Sequence, residues 1–443
     1  MKIVKRKTTQ KDLSLQESEM RAISAKLNDA DWYAAQRLQA WQSYQATAMP
    51  TTQDEAWRRT DISKLDWQKV QHPALSNASP RKSTVPQELL HPLVGDEHGG
   101  QLVIRGGQVE QASLAANLAE QGVIFTDFLT ATREHADLLQ KYLGKAVKTD
   151  EGKFTLLTAA WVDQGVFVYV PKHTKVELPL HTVIWADGSA HFSRVVVVAD
   201  DGAELTYVHE LGSADANGTD QAFHSGTVEV FCGANANLQF IELQSLGQHF
   251  WHFSHERCQV GRDGKLDWIF SGLGSHVTKN FSDLDLVGSG AWCRMSGFYF
   301  AEKDQHLDHD TQQNHLVPHT TSDLLFKGAL LDESRSVWQG MIYVAPGAQK
   351  TDGFQANRNL ILSKHARADS IPGLEILADD VRCTHAAAVG QLEPHHMFYL
   401  MSRGLPYEEA KRMIVEGFYD PILQRIPFEG VRERLLSFIS EKI

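Results

Sequence analysis

A glycine-bearing corner recurs along the middle of this chain, and it limits the fold more than any other feature. It appears at Asp201-Gly202-Ala203-Glu204-Leu205, at Cys232-Gly233-Ala234 leading to Leu238, at Asp263-Gly264-Lys265-Leu266, and at Ser289-Gly290-Ala291-Trp292; the glycines are 31, 31 and 26 residues apart. The intervening runs are rich in β-branched and aromatic residues: Val166 to Val170, His181 to Trp185, Val195 to Val198, Leu205 to Val208 and Val228 to Phe231. A unit of this size cannot bury its inward face alone. Stacked coils share one apolar core and pair their backbone groups with the coils above and below, so uneven repetition suits a solenoid with unequal loops. A β-sandwich also turns every ~8–12 residues, and periodicity alone leaves the two architectures open.

On either side the texture is helical. The first ~75 residues carry a 3.6-residue pattern in which Trp32, Ala35, Leu38 and Tyr44 share a stripe, ended by Met49-Pro50. Residues 77–97 read as a connector, followed by a strand at Leu102 to Arg105, a Gly106-Gly107 turn and helices near 126–143. Past Glu393-Pro394, His396, Phe398, Tyr399 and Leu400 read as helix up to Arg403-Gly404-Leu405-Pro406, where Pro406 can open another. Ala410, Met413, Ile414 and Phe418 then fall on one apolar face, and Leu435, Phe438 and Ile439 repeat the pattern. The expected organisation is an N-terminal helical and mixed domain over 1–152, a β body over 153–394, and a C-terminal helical domain over 395–443. A helical tail on a β body must cover the solenoid's end or bind another protein.

Composition closes several alternatives. With 43 Lys and Arg against 55 Asp and Glu, the net charge of −12 argues against general nucleic-acid binding, which needs a clustered basic surface. No run approaches the ~20 apolar residues of a membrane helix. Lys5-Arg6-Lys7 leads into Thr8, Thr9 and Gln10 instead of an apolar core, so the start is not read as a signal peptide and the expected location is the cytoplasm. Four cysteines without a C-x-x-C make neither a disulfide framework nor a zinc site.

Several constellations could carry chemistry. His306, His309, His315 and His319 lie close to Asp304, Asp308 and Asp310, a donor set for a transition metal or simply polar residues stacked along coils. His249, His252 and His255 are spaced so that a strand would turn His252 away from the other two. Cys383 and His385, at i and i+2, would project from one face of a strand; the alternative is a buried Cys beside a hydrogen-bonded His. Lys350-Thr351 ends like a phosphate-binding loop, but G-x-x-x-x-G-K-[ST] needs glycines where this chain has Val344 and Gln349. Any ATP chemistry must therefore come from a partner.

The run Pro346-Gly347-Ala348-Gln349-Lys350-Thr351-Asp352, with Gln355 to Leu360, Leu374-Glu375-Ile376, Asp379-Asp380-Val381-Arg382-Cys383-Thr384-His385 and Phe398 to Gly404, closely resembles the SufB/SufD family of iron–sulfur cluster assembly scaffolds. Trp57-Arg58-Arg59-Thr60 after Asp54-Glu55 resembles the SufD type. That resemblance implies a mainly β protein, a right-handed parallel β-helix flanked by helical domains. It implies no catalysis by this chain, no tightly bound cofactor, and a transient iron–sulfur cluster in a complex with a SufB-like subunit and a SufC-like ABC ATPase, with a homodimer of the isolated chain left open. By the same resemblance His385, with its neighbour Cys383, would serve the nascent cluster at the SufB contact, and the carboxy-terminal helices would receive SufC, through Tyr399, Arg403, Met413, Ile414 and Phe418. The family's usual H-G-A reads His385-Ala386-Ala387 here, which would strain Ala386 if that glycine had positive φ. Two rivals remain: a β-helix carbohydrate enzyme using Asp283 and Asp285 or Asp308 and Asp310, and a standalone metalloenzyme using the histidine cluster.

Overall fold

The computed structural model describes residues 13, 16–75, 83–94, 97–216 and 220–443. The basic stretch at residues 5–7 and parts of the 77–97 connector lie outside the described residues.

The recurring corners stack on one another. The amide of Gly202 donates to the carbonyl of Ala234, Asn235 to Arg262, Asp263 to Ser289, Gly290 to His319, and His319 to Gln349, so each corner is bonded to the next. A Cβ at Gly233 would lie 2.6 Å from the Asp201 amide nitrogen, and one at Gly264 would lie 2.8 Å from the Gly233 carbonyl oxygen. Close approach of successive coils, not an unusual φ, is what requires glycine at these two positions.

Between corners the chain alternates between two sheets. Between Gln164–Val170 and Arg382–Gln391 the strands pair in parallel with the strand two places along the chain, alternately in one sheet and the other, giving a ten-stranded and a nine-stranded sheet wound into about eight turns. A sandwich would pair successive strands antiparallel through hairpins; the parallel i, i+2 pairing decides for the solenoid. At the first coil the interior is plugged by Leu118, Val123 and Phe125, and each sheet is extended by antiparallel strands. The hairpin of Gly100–Arg105 and Gln108–Leu114 caps one, and Ile124–Asp127 pairs antiparallel with Gln164–Val170 on the other.

The interior is packed with Val197, Val230, Leu238, Phe240, Trp268, Leu284, Phe326 and Trp338, among others. Polar side chains interrupt it. His252 meets His224 with 2.8 Å between their Nδ1 atoms, and Glu256 accepts from Ser254 and Ser282.

Terminal regions cover the outer faces of both sheets, with Val85 and Leu89 packing on Val183 and Trp185 of the ten-stranded one. The nine-stranded sheet takes the amino-terminal side: Trp57 packs on Phe154 and Phe253, with ring centroids 5.1 and 5.5 Å away, and Arg59 reaches Gln339 at 2.8 Å. Helices occupy Glu17–Leu27 and Asp31–Ala46, but from there to residue 75 the segment holds only short 3-10 turns, so the expectation of helix throughout is corrected. The stripe is also corrected. The second helix buries Tyr33, Arg37, Ala40, Trp41 and Tyr44 and exposes Ala35, because Arg37 pairs with Asp29 at 2.8 Å and donates to two backbone carbonyls.

The carboxy-terminal helices Pro394–Ser402, Tyr407–Leu423 and Glu429–Glu441 do not cover the solenoid's end. The last two lie along the ten-stranded sheet, where Val415, Tyr419, Ile422 and Leu435 pack on Ile241, Ile269, Phe298 and Phe300. Arg434 clamps Glu210 through two bonds of 2.7 and 2.6 Å, and Lys442 reaches Glu302 at 2.8 Å. The face chosen is therefore Val415-Tyr419-Ile422, and Met413 points outward, 50% exposed.

Candidate functional site at the open end of the solenoid

The last coil has nothing stacked on it. Arg367–Ile376 and Arg382–Gln391 each pair with one neighbour, ending the nine- and ten-stranded sheets. A strand with one neighbour leaves a row of backbone donors and acceptors available to another chain. Apolar side chains are exposed on and beside it: Leu374, Ile376, Leu377 and Val389. Most positions of this last coil are exposed or half-buried, whereas the strands of the earlier coils are mostly buried.

Cys383 and His385 both sit on Arg382–Gln391, at register positions opposite Gly353 and Gln355. Those partners belong to the inward row: Gln355 is fully buried and donates to the Gly340 and Gly373 carbonyls. The two expected donors thus share one side of the strand, above the last closed layer of the interior. His385 is exposed, and Cys383 is half-buried beside Ile342, Val344 and Ala348. Burial pushes the Cys383 thiol up, the nearby Asp352 carboxylate adds to this, and a bond to the Gly353 backbone opposes it. Ala386 lies in regular register opposite Ala356 and is not among the positive-φ residues, so replacing glycine there costs the backbone nothing.

The expected partner-binding residues separate into two groups. Tyr399 and Met413 are 56% and 50% exposed, Arg403 is exposed with its guanidinium 5.3 Å from the Tyr399 ring centre, and Phe398, Met401 and Tyr407 on the same two helices are exposed as well. Ile414 is half-buried. Phe418 faces the body, where the Lys327 ammonium lies 4.8 Å from its ring centre.

The other candidates are occupied. Along His306–His315, His309 faces the interior against Phe270, Tyr299 and Phe326, and His315 is held by Thr320 and Ser322 at 2.7 and 2.8 Å. His306 meets Thr60, while Lys279 bridges Asp308 and Asp310 at 3.1 and 2.9 Å. His252 points inward and His255 outward onto Phe281, as strand alternation requires. Asp283 pairs with Arg257 and Asp285 accepts from Asn314, so neither pair presents free carboxylates to a sugar. The Gly347–Thr351 corner joins two strands, and its Lys350 pairs with Asp380. Among the described residues one triad is spaced as metal donors, Glu393, His395 and His396, at the start of the helix Pro394–Ser402, where neither strand nor helix periodicity marks it.

Comparison with known proteins places this geometry. Residues 182–418 match the family model described as SUF system FeS cluster assembly, SufBD core domain, and residues 7–182 match the SufBD protein N-terminal region. The chain belongs to the SufBD family. This SufBD-family chain is 33% identical over 438 residues to the iron–sulfur cluster assembly protein SufD of Bacillus subtilis, covering 97% of this chain and 98% of that protein. It is also 29% and 28% identical to iron–sulfur cluster assembly SufBD family proteins of Staphylococcus saprophyticus and Staphylococcus haemolyticus, over 96% of this chain and 93% of each relative. No described helix of the SufBD-family chain is long and apolar enough to cross a membrane.

Proposed function

We propose that this chain is a non-catalytic scaffold subunit for iron–sulfur cluster assembly. It pairs with a SufB-like subunit along the open last coil, receives a SufC-like ABC ATPase on its carboxy-terminal helices, and supplies His385, with Cys383 beside it, to a cluster held as cargo. The observation that carries this reading is the single-neighbour strand Arg382–Gln391, which presents an exposed imidazole and a thiol on one side.

Donor number supports a shared site. An iron–sulfur cluster is held by about four protein donors, and this end of the rod offers two. The remainder must come from a partner, and an unpaired strand edge is the natural place for one to align. Burial raises the Cys383 thiol above its ordinary value, so binding iron there as thiolate releases a proton, while His385 offers a ring nitrogen as a second donor. The exposed surface around Phe398, Tyr399, Met401, Tyr407 and Met413 suits a protein partner of matching shape. ATP hydrolysis belongs to that partner, because this chain has no phosphate-binding loop. The same open edge allows the isolated chain to pair with a second copy of itself, and the reading calls for a cytoplasmic protein with no cofactor of its own.

Anaerobic co-expression with SufB-like and SufC-like proteins tests the proposal. His385→Ala keeps the three-protein complex and lowers its cluster absorbance; equal absorbance at equal recovery of complex would refute the role of His385.

A further inference from the structure

We propose that Glu393, His395 and His396 form a surface site for one divalent transition-metal ion of the class that prefers imidazole, such as zinc, iron, cobalt or nickel. The inference rests on the geometry of these three residues and is independent of the scaffold reading.

The donor atoms already converge. His395 Nε2 lies 3.1 Å and His396 Nδ1 3.9 Å from Glu393 Oε2, and all three ligand atoms fall within 4.8 Å of one another. Ligands about 2.1 Å from a metal, at tetrahedral or octahedral angles, are separated by about 3.0–3.4 Å. The first separation falls in that range; the second, at 3.9 Å, and the spread of up to 4.8 Å exceed it, so binding requires the exposed side chains to draw together. The backbone holds the set in place. Glu393 is extended at φ −73° and ψ 120°, Pro394 opens the helix Pro394–Ser402, and the amides of His396 and Met397 donate to the Glu393 carbonyl at 3.0 and 3.2 Å.

Chemistry selects the ion. Two imidazoles and one carboxylate suit borderline transition metals and not magnesium or calcium, which prefer all-oxygen sets. The positive end of the helix opposes a cation there, and the Glu393 carboxylate offsets it. All three residues are exposed, so the remaining coordination positions face solvent and the ion can exchange. The site is also separate from Cys383 and His385: the strand runs six residues from His385 to Gln391, about 20 Å at ~3.3 Å per residue.

The test uses the purified full chain, titrated anaerobically with Co2+ by ligand-field absorbance and with Zn2+ by calorimetry. One equivalent binds to the wild type and to a Cys383→Ser/His385→Ala variant, while His395→Ala/His396→Ala loses that equivalent and Glu393→Gln weakens it about tenfold, with circular dichroism unchanged in all. The proposal falls if the wild type binds no metal, if the His395→Ala/His396→Ala variant binds as the wild type does, or if the equivalent disappears with Cys383 and His385 instead.

Discussion

At the scale of single residues, the interior histidines set how the fold answers to acid. His309 is fully buried, neither ring nitrogen has a hydrogen-bond partner, and burial lowers its pKa to about 3. Between the unfolded value near 6.5 and that depressed value the unfolded chain binds a proton that the native chain refuses. Stability from this group is therefore full above pH 6.5 and falls as pH drops, by up to about 1.4 kcal/mol per unit. His309→Leu removes both the unpartnered polar atoms and the proton, so thermal unfolding at pH 5 should show a higher Tm than wild type, with a smaller gain at pH 8. A variant that loses stability equally at both pH values would show the imidazole to be needed for packing. His385 behaves differently. It is exposed and bears no part of the core, so the His385→Ala chain should unfold with the wild-type midpoint while its complex loses cluster.

At the scale of elements, corners and helix faces decide the outcome. Gly233→Ala forces a Cβ into the Asp201 backbone, which should cost roughly 1–3 kcal/mol in chemical denaturation. Gly390→Ala, on the open strand with nothing within 4 Å, should change stability by less than about 0.5 kcal/mol. Equal effects would show that stacking does not select glycine at the corners. These corners were legible in the sequence because the same Gly-apolar pattern returns with each coil. Helix faces were less so. The Tyr407–Leu423 helix buries Val415, Tyr419 and Ile422 because the ten-stranded sheet supplies the complementary surface, and nothing within the helix itself separates that stripe from Met413 and Ile414. Burial of Arg37 has a related cause: it pairs with Asp29 just ahead of the helix and donates to the carbonyl of Ala160, far along the chain. For the tail, deleting the helices would strip the cover from Ile241, Phe298 and Phe300, so the sound test is on the surface. Tyr399→Asp with Met413→Asp should leave the fold intact and weaken ATPase capture at least tenfold in a pull-down; undiminished capture would move the docking surface elsewhere.

At the scale of the whole molecule, the chain is a rod closed at one end and open at the other. At the closed end Leu118, Val123 and Phe125 plug the interior beside short antiparallel strands; the open end stops at two ten-residue parallel strands, Arg367–Ile376 and Arg382–Gln391, with no plug among the described residues. Strand runs and turn spacing made a repetitive β body legible, but parallel pairing across two sheets is a property of the assembled coils and left no local mark. Inward polar residues such as His252, Glu256 and Asn280 also blurred the alternation by which a buried face is recognised. Glu393, His395 and His396 escaped notice because adjacent residues at a helix start show no periodicity. The account's central claim is that the open end is a seam for a second subunit. Amide hydrogen exchange tests it most directly, on the chain at a concentration where light scattering finds it monomeric and again after adding the SufB-like subunit. Peptides from Arg382–Gln391 should become protected while those from the Gly100–Arg105 hairpin stay unchanged; unaltered exchange along Arg382–Gln391 in a verified complex would contradict the claim.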